Sequence, residues 1–270
     1  MKMSFYFIQQ RTITNMRISI LGSGNVATHL ALNLRQRWHI IDQVWSRNIE
    51  HAKFLADRVE AQAIDDLSQL HTNANLYILA ISDDGLEEVA SKLHLGNALV
   101  VHGSGAAPLD ILKNTSTRYG VIWSPQSFVR DIALECNDLP VCIEGCDKKT
   151  EDDIDEIVRT FTPNIYRTTY QQRQYLHLAC VFVNNFTNGL YALAQMLCEK
   201  HNVPFEVLYP IILTTAKRVQ WGDVRYLLTG PAVRGDNKTL NLHRRLLAGN
   251  EQMLEAYDAF TRLLQQIKLS

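Results

Sequence analysis

One stretch of this 270-residue chain combines hydrogen-bonding side chains with a complete absence of charge. From Gln174 to Cys198 there is no Asp, Glu, Lys or Arg. At about 100° per residue, His177, Asn184, Asn188 and Gln195 fall within roughly 20° of one line on a helix. An imidazole gives or takes a proton near neutral pH, and neutral amides orient a polar ligand. The pattern fits proton transfer in a cleft, with His177 as proton donor or acceptor, Asn184 orienting the substrate and Asn188 binding it. It fits equally a narrow polar stripe satisfied inside a helix–helix interface, and the residues alone leave both readings open. The missing charge predicts that the helix is buried. The interrupting amides argue against a membrane span.

A second chemistry-bearing feature is a glycine turn. Arg17 to Leu21 reads as a short apolar strand, and Gly22-Ser23-Gly24-Asn25-Val26-Ala27 follows as G-x-G-x-x-A before a helical pattern. This strand–turn–helix context is that of a dinucleotide site. Gly22 makes the sharp turn. Gly24 lets the amides of Ser23, Asn25 and Val26 approach a pyrophosphate at the helix N-terminus. The second strand ends Val44-Trp45-Ser46-Arg47-Asn48, about 22 residues beyond Gly24, where an acid favours NAD. No acid is present. Ser46 and Arg47 suit a 2′-phosphate instead, so NADP is expected ahead of NAD. The plainer reading of the pair is a helix cap and a solvated arginine.

Three loops complete the candidates, one of them Trp123-Ser124-Pro125-Gln126-Ser127-Phe128 at a further strand end. His102-Gly103-Ser104-Gly105 follows a strand at the end of the sheet where open α/β folds bind ligands, and Ser104 is a candidate for a substrate carbonyl or carboxylate. In Gly230-Pro231-Ala232-Val233-Arg234-Gly235-Asp236, Arg234 is a candidate clamp for an anionic group and Asp236 a helix cap.

The elements that must carry these residues read as follows. Strand patterns at 40–46, 76–82, 98–102, 119–124, 139–144 and 164–168 alternate with helical ones at 49–59, 83–93 and 151–161. Continuous apolar strands between helices indicate a parallel sheet covered on both faces. From Tyr170 onward only helices follow, read at 171–201, 204–221, 237–248 and 251–268. The expected organisation is an N-terminal extension at 1–15, a dinucleotide-binding domain at 16–169, and a helical substrate and dimerisation domain at 170–270. With 27 Lys+Arg against 28 Asp+Glu, the chain has no basic excess for nucleic acid or anionic membrane. The five cysteines, Cys136, Cys142, Cys146, Cys180 and Cys198, show no metal spacing. They suit free thiols in a reducing, cytoplasmic setting.

The motifs together resemble Rossmann-like NADP-binding proteins with a helical C-terminal domain of unknown function. These are distant relatives of ketopantoate reductase, pyrroline-5-carboxylate reductase and the 6-phosphogluconate/β-hydroxyacid dehydrogenases. The resemblance rests on Gly22 to Ala27, on His102 to Gly105, on Tyr175-Leu176-His177-Leu178-Ala179 with Asn184-Asn185-Phe186, and on Gly230-Pro231 with Arg234-Gly235-Asp236. It implies a Rossmann-type, mostly parallel α/β sheet followed by an all-α domain, NADP as cofactor, and an oxidoreductase. The substrate would be a small carbonyl, imine or hydroxy acid. It implies a homodimer as well, since related dehydrogenases often pair through the helical domain. The chain departs from the characterised relatives in placing His177 where many carry a Lys, and Ser124-Pro125 where His-Pro is common. The rival expectation is an NADP-responsive binding protein without turnover.

Overall fold

In a computed structural model the described residues are 15–128 and 139–269. Cys136 and the proposed extension up to residue 14 lie outside them. The chain divides into two compact units, Met1–Asn184 and Asn185–Ser270.

In the first unit, β1 (Arg17–Leu21) leads to α1 (Asn25–Gln36), β2 (Ile40–Trp45), α2 (Ile49–Val59) and β3 (Gln62–Ile64). Next come β4 (Leu76–Leu79), α3 (Asp83–Ser91), β5 (Leu99–His102) and β6 (Arg118–Trp123). The sheet closes with β7 (Val141–Gly145), α4 (Lys148–Val158) and β8 (Ile165–Arg167), after which α5 (Tyr170–Cys180) begins. The strand order is β3-β2-β1-β4-β5-β6-β7-β8. All neighbours run parallel except β6 and β7. The apolar runs in β4 and β5 are buried at every position because helices cover both faces. Sequence patterning omits β3, whose three residues Gln62-Ala63-Ile64 include one buried side chain. It also does not anticipate the reversal at β7.

The charge-free helix is not one regular helix. After α5, residues Val181–Phe186 form a π turn, and α6 (Thr187–Lys200) resumes the α pitch. A π turn winds fewer degrees per residue, which removes the uniform 100° step behind the alignment of His177 with Asn184, Asn188 and Gln195. The expected burial fails too. Tyr175 is 67% exposed and Val183 73%, and α6 has no buried residue.

The second unit continues with α7 (Tyr209–Arg218), the single turn α8 (Pro231–Arg234), α9 (Asn237–Leu246) and α10 (Glu251–Leu269). Asp236 caps α9 as expected. Its carboxylate accepts the Thr239 amide at 3.1 Å and the Thr239 hydroxyl at 2.7 Å. Helices α9 and α10 are joined by Arg244–Asp258 at 2.8 Å and His243–Tyr257 at 2.8 Å. No helix among the described residues is long and apolar enough to cross a membrane.

Candidate functional site

The C-terminal ends of β1, β2 and β4 enclose a cavity of about 470 Å³. Gly22, Ser23, Gly24, Ser46 and Arg47 all line it. Gly22 has φ +129, and a Cβ there would stand 2.1 Å from the Ala80 carbonyl oxygen. Only glycine lets β1 turn this close to β4. At Gly24 a Cβ would meet nothing within 4 Å, so the missing side chain opens space on the ligand side. The start of α1 has no side-chain cap and no acid in its first turn. Elsewhere Asn48, Asp147 and Asp236 cap their helices. The uncapped amides of α1 and the open position at Gly24 fit a dinucleotide pyrophosphate.

The Ser23 hydroxyl donates to that of Ser46 at 3.0 Å. The cap of α2 is Asn48, whose side chain accepts the Glu50 amide at 2.9 Å, so Ser46 and Arg47 do not serve as that cap. Arg47 is exposed and makes no ion pair among the described residues. Lys92 lines the same cavity, paired with Glu88 at 2.5 Å. Sequence reasoning does not pick out Lys92, because α3 reaches the cavity only through the fold.

From the glycine turn the surface leads to the loop after β5. The Val26 side chain lies 3.6 Å from where a Gly103 Cβ would stand, and the Asn25 side chain donates to the Phe128 carbonyl at 2.8 Å. Ser104 is buried. Its hydroxyl accepts the amides of Ala106 at 3.1 Å and Ala107 at 2.9 Å, so it holds the loop in shape from within. His102 is fully buried, and its Nδ1 accepts the Ser104 amide at 3.2 Å, which leaves the ring proton on Nε2. Burial, with the nearby charge of Arg173, pushes the His102 imidazole down to about 3.

His177 closes this end. Its ring meets Trp123 edge-on, with centroids 6.0 Å apart. A Cβ on Gly105 would come within 2.9 Å of His177 Cδ2 and 2.7 Å of Trp123 Cε2, so glycine is what allows the loop to lie against both rings. Asn184 sits half-buried in the π turn. Asn188 and Arg234 belong to the second unit, both exposed, on α6 and at the end of α8. The structure thus brings together Gly22, Ser23, Gly24, Ser46 and Arg47 in one cavity, and His177 with the Ser104 loop. Sequence reasoning missed Arg173, and it placed Gly105 and Trp123 in candidate loops without their contact with His177. The available signal for Arg173 was its place as the last charge before the charge-free stretch, just after the Thr169–Gln172 capping box.

Sheet order, glycine turn and uncapped α1 define a Rossmann-like, dinucleotide-binding fold. Residues 17–102 match the family described as NADP oxidoreductase, coenzyme F420-dependent. Residues 139–264 match the domain of unknown function DUF2520. A Bacteroides fragilis protein provisionally named an NADP oxidoreductase is 34% identical. The alignment covers 93% of this chain and 98% of that one, with a TM-score of 0.88. The chain belongs to this family of NADP oxidoreductases. Pyrroline-5-carboxylate reductase from Streptococcus pyogenes shares the fold at TM-score 0.59 and 14% identity, over 93% and 99% of the two chains. A reductive aminase from Aspergillus terreus, in complex with NADPH and ethyl-5-oxohexanoate, does so at 0.63 and 13%, over 95% and 91%. No curated protein matches the chain.

Proposed function

We propose that the protein transfers hydride between NADP and a small carbonyl, imine or hydroxy acid, with His177 exchanging the accompanying proton. The observation that supports this reading is the continuity of the surface. The loop that begins against α1 at Val26 and Gly103 ends against His177 at Gly105. When bound, NADPH supplies the hydride. Gly22, Gly24 and the first amides of α1 would hold its pyrophosphate, and Ser46 and Arg47 would hold its 2′-phosphate by charge-assisted bonds. Ser104 shapes the loop whose outer surface the substrate meets. Asn184 and Asn188 orient substrate, and Arg234 binds an anionic group on it.

The active form is a homodimer in the cytoplasm. Support for the dimer comes from the uncovered apolar faces of α6 and α7. Support for the compartment comes from four unbridged cysteines, Cys142, Cys146, Cys180 and Cys198. The test is NADPH oxidation against a panel of cyclic imines and 2-keto acids. His177→Ala should lower kcat by about 10²–10⁴-fold and leave NADPH affinity unchanged. Wild-type turnover in that variant would remove the proton-transfer role.

A further inference from the structure

Arg173 is the largest side chain that is fully buried among the described residues. A guanidinium so placed must be paired and hydrogen-bonded to be tolerated. It sits in the first half of α5, where it pairs with the Glu144 carboxylate through Nη1 and donates from Nη2 to the Ala107 carbonyl at 2.8 Å. The Tyr170 ring centroid lies 5.5 Å from the guanidinium carbon. Glu144 also accepts the Tyr170 amide at 3.0 Å.

The sheet register explains the reach. His102 on β5 pairs with Val121 on β6, and Val121 pairs with Glu144 on β7. Directly paired residues share a face of the sheet, so these three form one row beneath α5. The guanidinium reaches from Glu144 on one side to the loop that follows His102 on the other. His177 is four residues on, one turn along the same side of the helix. Its ring meets that same loop at Gly105. Helix α5 therefore touches the loop twice, through Arg173 at Ala107 and through His177 at Gly105. Near its start the loop is braced by His102, which accepts the Ser104 amide. Stability alone does not require such a pair, because apolar residues of similar volume often serve as well.

We propose that Arg173 is a positioning residue that fixes the His177 imidazole against the Gly103–Ala107 loop. The planar fork suits this task, since it holds a carboxylate and a carbonyl in set directions at once. The effect on turnover rests on the proton-transfer reading of His177, whereas the effect on the position of the ring does not.

The experiment follows the His177 ring by NMR in protein labelled at histidine Cε1, with the resonance assigned by its loss in His177→Ala. Arg173→Met combined with Glu144→Met removes both charges together and leaves neither buried alone. Arg173→Lys keeps the charge and loses the fork. In both variants the His177 resonance should move and broaden while NADPH affinity stays at the wild-type value. In the double variant, kcat for an active imine or keto acid should fall about 10²-fold, the loss expected from a small misplacement, with KM little changed. A folded double variant whose His177 resonance and titration coincide with wild type overturns the proposal. If the double variant does not fold, Arg173→Lys decides by the same criterion. A displaced resonance together with full turnover in His177→Ala upholds the positioning and removes the proton-transfer reading instead.

Discussion

The sheet unit and the helical unit handle apolar surface in opposite ways. In the first, β4 and β5 are buried at every position, and α1, α2 and α4 each bury a full face. In the second, the buried side chains among the described residues are Ala232, Leu240 and Thr261. Ile211 is 63% exposed, Leu213 59% and Trp221 71%. Exposed apolar patches of this kind mark interaction surfaces. The sheet unit has a core of its own, whereas the helical unit carries faces that need cover.

Three measurements break or sharpen that contrast. The largest effect is expected at Ile211. If a second copy covers α7, Ile211→Glu places a charge in an apolar interface and should raise the dimer dissociation constant by about 10³-fold or more. Sedimentation equilibrium reads this directly, and a wild-type protein that stays monomeric at every concentration sinks the idea. Next comes Gly22→Ala. A Cβ 2.1 Å from the Ala80 oxygen, at φ +129, must displace backbone. It should lower the unfolding free energy of the sheet unit by about 3–4 kcal/mol without changing the oligomeric state. A loss below about 1 kcal/mol in denaturant titration would mean that the turn relaxes freely. The last effect accrues gradually with pH. The folded-state value of His102 is depressed from 6.5 to about 3. Its stabilising contribution is therefore complete above about pH 6.5 and is lost as pH falls toward 3, where only the unfolded chain takes the proton. The slope is at most about 1.4 kcal/mol per pH unit. His102→Asn keeps an acceptor for the Ser104 amide and should flatten that slope. Parallel acid profiles for the two proteins would show that His102 does not set it.

Much of the sheet unit was legible because its signals are local. Gly22 and Gly24 stand between a strand and a helix, and Ile49–Val59 forms the helix its pattern indicates. Ser46 and Arg47 line the same cavity as Gly22 and Gly24, because the register of β1 against β2 joins two neighbouring crossovers. The rest depends on long-range placement. The antiparallel entry of β7 leaves no mark in hydrophobic patterning, yet it is what sets Glu144 beside Val121. Absence of charge from Gln174 to Cys198 suggested burial, but the chain alone leaves that surface open. Composition reports that a face avoids water and not which partner covers it. The π turn at Val181–Phe186 was illegible for a different reason, since it contains only residue types common in ordinary helices.

The contact between Arg173 and Ala107 spans 66 residues, and this has a consequence for the order of assembly. Every residue lining the nucleotide cavity lies between Gly22 and Lys92. That cavity can form from the first four strands, while the loop carrying Ser104 waits for α5, and long chain closures come late. NADPH then has a docking place before the loop against His177 is set. A ligand that binds a partly folded chain stabilises it by mass action. A cofactor docked there would stabilise the half of the protein that holds it before the rest of the sheet unit closes.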